Sequence, residues 1–362
     1  MQPSRRGILQ GGALIALGAG LGGAGFFFGE SRNHGHPKKA ISNKLAKVIQ
    51  GGIITPSPPQ SNVRIAVFRL REGRVIEEVM SGFTSARKQI IAEYGNDLTM
   101  TFGVSLDWAR SLYPDSQFSE SLPTFQREQL QGNEGGDFVV QFCADDPNTV
   151  FAAHESFVAD FTESTTDLWH QDGFRPKQTE RGEFRNAIGF FDGIINPRSE
   201  KKLDEGVWID ATDPASPLHG ATYMVIRRLR FNMDRWNRMS TGLQERAVGR
   251  KKDTGAPLSG GERKDQVDLG AKHSNGEWVT PEASHARRAH PSFVGRPLML
   301  RRGYGFHNSD KDQGTLFIAF MNDLLTFKLT QQRMDEMDDI LSNTVCTGAG
   351  YFVVLPQAAF TA

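Results

Sequence analysis

The chain has 362 residues, enough at roughly 150 per domain for two domains or one of double size, and its core needs no disulfide staples. Lys and Arg number 42 and Asp and Glu 42, so no net field draws the chain onto nucleic acid or anionic lipid, and general polyanion binding is excluded. A hydrophobic fraction of 38% with 25 Phe excludes a disordered or membrane-embedded chain and describes a globular one.

From Gly7 to Gly29 there is no charged residue, and Arg5-Arg6 stand just before. The length permits a transmembrane helix, but the many glycines lower its hydrophobicity and helix propensity. A basic start followed by a weakly apolar run reads as a signal peptide over 1–30, and the paired arginines resemble the twin-arginine export signal. That predicts a periplasmic protein that meets the membrane only through its signal segment. An uncleaved anchor is the other reading, since no clean cleavage site follows. The polar, proline-rich stretch 31–62 reads as a linker, and His34 and His36 in it as solvated side chains.

The expected folded part begins with Val63–Leu70, a β-branched run that suits a strand. Val75, Val79 and Phe83 then mark a helix over 74–92 that stops at Gly95. Strands fit Leu98–Val104 and Asp137–Ala144, a helix fits Asn148–Asp160 with Asn148 as N-cap, and a weak strand fits Asp167–Gln171. The later part repeats this order: a strand at Thr222–Phe231, a helix at 234–248, strands at Pro297–Tyr304 and Thr315–Met321, a helix at 323–341, and a strand at Tyr351–Leu355. The fold class is therefore α+β, with two ferredoxin-like β-α-β-β-α-β units over 63–205 and 206–362 and a cavity formed between them. The insertion 249–296 is too long for a plain connection and is a place to look for function. Cys143 and Cys346 read as two buried thiols or, in an exported protein, a pair. No C-x-x-C, H-E-x-x-H or Walker pattern gives a local signal for zinc, dithiol or phosphate-loop chemistry.

Three stretches carry candidate chemistry. Gly189-Phe190-Phe191-Asp192-Gly193 places an acid in an apolar, aromatic surrounding, where its charge is costly unless used or paired; a plain Asp-Gly turn is the alternative. Ser284-His285-Ala286-Arg287-Arg288 offers an imidazole among guanidinium groups, suited to haem iron and haem propionates or simply to solvent. Leu298-Met299-Leu300-Arg301-Arg302-Gly303-Tyr304 ends an apolar strand in two arginines, one facing inward or both making a rim salt bridge.

In this order the three stretches resemble the dye-decolourising (DyP-type) haem peroxidase family, in particular its exported, iron-uptake-associated deferrochelatase/peroxidase branch. Gly136–Gln141, Val225–Arg228, Gly249–Lys252 with Gly255–Leu258, Leu324–Arg333 and Gly348–Phe352 extend the resemblance over about 60–358. It implies a haem b between the two halves, with His285 as the proximal iron ligand, Asp192 as the distal acid–base residue and Arg301 as the distal cation. Gly193, Ile194 and Ile195 would line the haem, and Asp323 would accept the proximal imidazole N–H. Where the family has Asn-Pro-Arg after the ligand, this chain has His290-Pro291-Ser292. That makes His290 a rival ligand, and it leaves Arg287, Arg288 or Arg296 to replace the missing propionate anchor. The implied partners are hydrogen peroxide, dye-like reductants oxidised in one-electron steps, possible iron-uptake components and a second copy in a homodimer. Surface electron transfer through Tyr304 or Trp208 is a further expectation, and core packing is the alternative for both.

Overall fold

The computed structural model describes residues 48–360. The expected signal segment, His34 and His36 lie outside the described residues. The first half contains β1 (Asn62–Leu70), α1 (Ile76–Tyr94), β2 (Thr99–Ser105), α2 (Leu106–Leu112), β3 (Phe138–Ala144), α3 (Pro147–Phe161) and β4 (Thr165–Phe174). A short hairpin, β5 (Phe184–Arg185) and β6 (Phe191–Asp192), and α4 (Glu200–Gly206) lead into the second half. That half has β7 (Thr222–Phe231), α5 (Met233–Asn237), α6 (Thr241–Val248), α7 (His285–Arg288), β8 (Leu300–Arg301), β9 (Tyr304–Ser309), β10 (Asp312–Met321), α8 (Leu324–Met337) and β11 (Thr344–Val354).

Each half follows the expected β-α-β-β-α-β order, with α2 added in the first half and the strand expected at 297–304 divided into the short β8 and β9 in the second, and the two sheets join edge to edge. All pairings are antiparallel, in the order β7-β11-β2-β3-β1-β4-β9-β10-β8, and β7 also pairs with β10, so the sheet closes on itself. The seams between the halves are narrow: Phe352 and Val353 of β11 face Ser105 and Val104 of β2, and Phe174 of β4 faces Gly305 of β9. Alternation along β1 shows how the sequence builds two cores. Val63, Ile65 and Val67 join one buried cluster with Ile226, Ile318 and Phe352, while Ala66 and Phe68 pack on the other face beneath Phe83 and Phe157 of the helices.

Several boundaries differ from expectation. Residues 48–61, expected as linker, pack on the barrel: Ile49 and Ile53 are buried, and the Gln50 amide donates to Phe102 O and Leu355 O at 2.9 and 2.8 Å. The cap of α3 is Asp146 rather than Asn148; its carboxylate accepts from the backbone N–H of Asn148 and Thr149, and Pro147 fills the first helical turn, where no donor is needed. The helix expected over 234–248 is broken into α5 and α6, each opened by its own cap, Asn232 and Ser240. Cys143 and Cys346 are both buried free thiols.

Candidate active site

A cavity of about 250 Å³ lies beside β7, β10 and α8, with residues 186–344 on its wall. His285, Asp192 and Arg301 all line it, together with Gly193, Ile194, Ile195 and His290. The structure thus brings together three segments spread over more than a hundred positions of sequence.

His285 opens α7, which is held against α8 from both sides. The Arg288 guanidinium donates to Arg333 O at 3.0 Å, and Asp339 N–H donates to Ala283 O at 3.0 Å. Gly249 ends α6 with φ +88°, and a Cβ there would stand 2.9 Å from Ala286, so glycine serves both the left-handed turn and the close approach of α7. The His285 Nδ1 lies 2.9 Å from Oδ2 of Asp338, whose side chain has no solvent exposure. The other Asp338 oxygen accepts from Ile340 and Leu341 N–H at 2.9 and 3.0 Å. In the neutral ring Nδ1 therefore carries the proton and Nε2 keeps its lone pair. The ring is deep in the protein, and its 34% exposure is to the cavity. Burial opposes the imidazolium, but the charge and hydrogen bond of Asp338 outweigh it and raise the His285 pKa; Arg301 acts downward and Asp192 upward across the cavity.

Asp338, not Asp323, is the carboxylate of the imidazole. Asp323 caps α8, accepts from Leu325 N–H and Ser119 Oγ, and pairs with Arg296 at 2.7 Å. The 14 residues of α8 separate the two acids by about 21 Å at 1.5 Å per residue, so only the one beyond its C-terminal end reaches α7. No sequence spacing distinguishes Asp338 from its acidic neighbours; the signal is the fold.

Asp192 ends the β5–β6 hairpin, where Phe184 and Asp192 are paired. Its Oδ1 accepts from Gly193 N–H at 2.6 Å, Oδ2 makes no hydrogen bond among the described residues, and the residue lines the cavity. The following loop is tied to β8 by Asn196, a residue without a role at the level of sequence. Its amide accepts from Arg301 N–H at 3.0 Å and donates to Arg301 O at 2.9 Å, as a strand neighbour would. The Arg301 guanidinium in turn donates to Ile195 O at 2.7 Å. Acid and cation are thus fixed relative to each other by the backbone between them.

Other expected contributors are turned away. The Arg287 donors go to Thr280 O and Leu269 O, those of Arg288 to Arg333 O and Glu336, and Arg296 to Asp323, so none of the three faces the cavity. His290 does line it, but its Nδ1 is bonded to Ser292 Oγ at 2.7 Å and no carboxylate among the described residues backs the ring. Burial and then the charge of Arg287 push its pKa down. Trp208 and Tyr304 are 1% and 0% exposed, which places both in the core rather than at the surface. The insertion 249–296 is organised by buried Arg250, which donates to Gly255 O, Arg263 O and Asp265 O and whose pKa burial pushes down to about 10.

The site thus offers a backed imidazole with a free lone pair, and an acid and a cation on the same cavity. Comparison with known proteins gives this arrangement a family. Residues 50–175 match the Dyp-type peroxidase N-terminal domain and 183–359 the C-terminal domain, which holds His285, Asp192 and Arg301. The dye-decolorizing peroxidase of Thermobifida fusca is 32% identical over 256 residues, 66% of this chain and 58% of that protein. A deferrochelatase of Yersinia pestis bv. Antiqua is 33% identical over 239 residues, 62% of this chain and 54% of that one. The matched region therefore spans less than three-fifths of these curated relatives. Among solved structures, ferric DtpA from Streptomyces lividans aligns over 85% of this chain and 93% of its own with a TM-score of 0.76 and 26% identity. With both of its domains matched in order, the chain belongs to the Dyp-type peroxidase family.

Proposed function

We propose that the chain is a haem peroxidase that reduces hydrogen peroxide and oxidises bulky, dye-like reductants in one-electron steps. The observation that carries this reading is the His285–Asp338 pair facing a cavity that also receives Asp192 and Arg301. The donor set fits haem b: Nε2 of His285 is free to bind iron, and Ile194, Phe190, Val248, Phe317 and Met334 present apolar surface to a macrocycle. Bound haem supplies the redox chemistry that joins peroxide reduction to one-electron oxidation of the reductant. The chain's own contribution is the placing of charges and protons. Asp338 raises the basicity of His285 as a ligand. The free oxygen of Asp192 accepts a proton from one peroxide oxygen and returns it to the other. Arg301 stabilises the negative charge that develops as the O–O bond breaks. His290 lines the cavity and, with Nδ1 accepting from Ser292 N–H, can donate from Nε2 to a propionate in place of the absent arginine.

Steady-state peroxide consumption with a dye, on haem-reconstituted protein, tests the proposal; haem uptake without turnover would leave a haem carrier or sensor instead. The deferrochelatase name of relatives such as the Yersinia pestis protein supports a second reading, release of iron from haem with the porphyrin intact. Free protoporphyrin after incubation with haem under reducing conditions would support it, and its absence would remove it. We also propose export to the periplasm, on the strength of Arg5-Arg6 and the uncharged run after them, and iron-uptake components as partners, on the strength of the deferrochelatase name of relatives. Cell fractionation checks that, and analytical ultracentrifugation checks the proposed homodimer.

A further inference from the structure

On the helix side of the first half, among residues that do not line the cavity, His154, Asp167 and His170 place three donor atoms within 4.8 Å of one another. Asp167 and His170 are three apart on β4, where a regular strand would send them to opposite faces. A bulge at Leu168 prevents this: Val67 pairs with Trp169 while Phe68 pairs with Asp167, so Asp167 and His170 sit opposite Phe68 and Ala66 on the face that α3 covers. His154 comes down from α3 onto the same spot.

Two atoms of this cluster are left without hydrogen bonds. His154 is 2% exposed, and its Nε2 is buried with no hydrogen-bond partner, as is Oδ1 of Asp167. An unpaired buried donor or acceptor is costly, and this cluster holds two of them. The spacing suits one shared ion. His154 Nε2 and His170 Nδ1 lie 3.4 and 3.0 Å from Oδ2 of Asp167, and donors about 2.0 Å from a tetrahedral metal stand about 3.3 Å apart.

We propose that His154, Asp167 and His170 form a second metal site, an N2O set for a divalent transition metal such as zinc, that clasps α3 to β4. Water completes the coordination on the side of His170, whose side chain is 46% exposed and gives the ion its way in. The outer shell fits as well. Glu155 Oε1 and Arg64 Nη1 both lie 3.1 Å from His154 Nδ1, and a metal on Nε2 selects the tautomer in which Nδ1 donates to Glu155 instead of accepting from Arg64, which keeps its bonds of 2.6 and 2.7 Å to Asp172. The rings of Phe142 and Phe68 wall the inner side. No local motif announces the site because its donors come from a helix and a bulged strand.

The test is zinc binding by the full-length haem-loaded protein after chelator treatment, read by metal analysis following dialysis against micromolar zinc. Wild type is expected to hold one more zinc than His170→Ala, and zinc is expected to raise its Tm but not that of the variant. Loss of a donor should weaken this site by about 100-fold or more, since even outer-shell changes cost about 10–100-fold. Asp167→Asn should do the same, and zinc-edge X-ray absorption should show nitrogen and oxygen at about 2.0–2.1 Å. Equal zinc in wild type and both variants, or none in wild type, overturns the proposal and leaves an Asp167–His170 ion pair.

Discussion

Replacing Asp192 by Asn is expected to lower the rate constant for peroxide consumption by about 10²- to 10⁴-fold while the haem spectrum stays as in wild type. The amide has nearly the shape of the carboxylate and can still accept from Gly193 N–H, so the β5–β6 hairpin has no reason to move. What it cannot do is take a proton from peroxide, and that is the whole of the role proposed for Asp192. Arg301→Leu is the companion variant. It removes a charge and the bond to Ile195 O, but the main-chain pairing with Asn196 survives, so the Asp192 loop keeps its anchor. Turnover retained in Asp192→Asn but lost in Arg301→Leu would move the dominant role to the cation. Turnover retained in both would remove the catalytic assignment. Stopped-flow measurement at one peroxide concentration series separates these results.

Asp338→Asn is expected to weaken haem binding by about 10- to 100-fold, read by haem titration, although no atom of Asp338 faces the cavity. As a carboxylate it accepts on both oxygens, from His285 on one side and from Ile340 and Leu341 N–H on the other. An asparagine has one acceptor and must choose. If its oxygen stays with the two backbone donors, its NH2 meets Nδ1, which must give up its proton. The proton then sits on Nε2 and the ligand lone pair is gone. If the amide turns over, two buried N–H groups face a donor, at about 1–3 kcal/mol each, and the end of α8 loosens from α7. Unchanged haem affinity with unchanged thermal stability would show that Asp338 neither orients nor charges the imidazole.

Much of this was legible in the sequence, and the failures share a cause. Strands and helices with clean periodicity, such as β1, α1, β7 and β10, lie where period 2 or 3.6 puts them, because burial on a defined face writes that period into the chain. The segments of Asp192 and Arg301 were visible as charges in apolar stretches and that of His285 as an imidazole among arginines, and the structure places all three on one cavity. Their partners were not visible. Asp338 and Asn196 act through contacts with residues 53 and 105 positions away, and neither stands in a distinctive local pattern. The choice of Asp323 failed because both ends of α8 carry acids and only the packing of α7 tells them apart. The same holds for the barrel: each half shows its own element order, while the pairings that close the ring depend on edges meeting in space.

The most direct test of the account is the absorption spectrum of the haem-reconstituted protein before and after one equivalent of peroxide, for wild type and His285→Ala. Wild type is expected to show a Soret band that shifts on adding peroxide and returns with a reductant. The variant, with no imidazole beside Asp338, is expected to bind haem weakly and to lose the shift. A variant that keeps the wild-type Soret band and its response would contradict the account, because the ligand would then be another residue, with His290 the first to examine. A wild-type protein that takes up no haem would leave the cavity with its His285, Asp192 and Arg301 side chains, but without the cofactor on which the proposed chemistry rests.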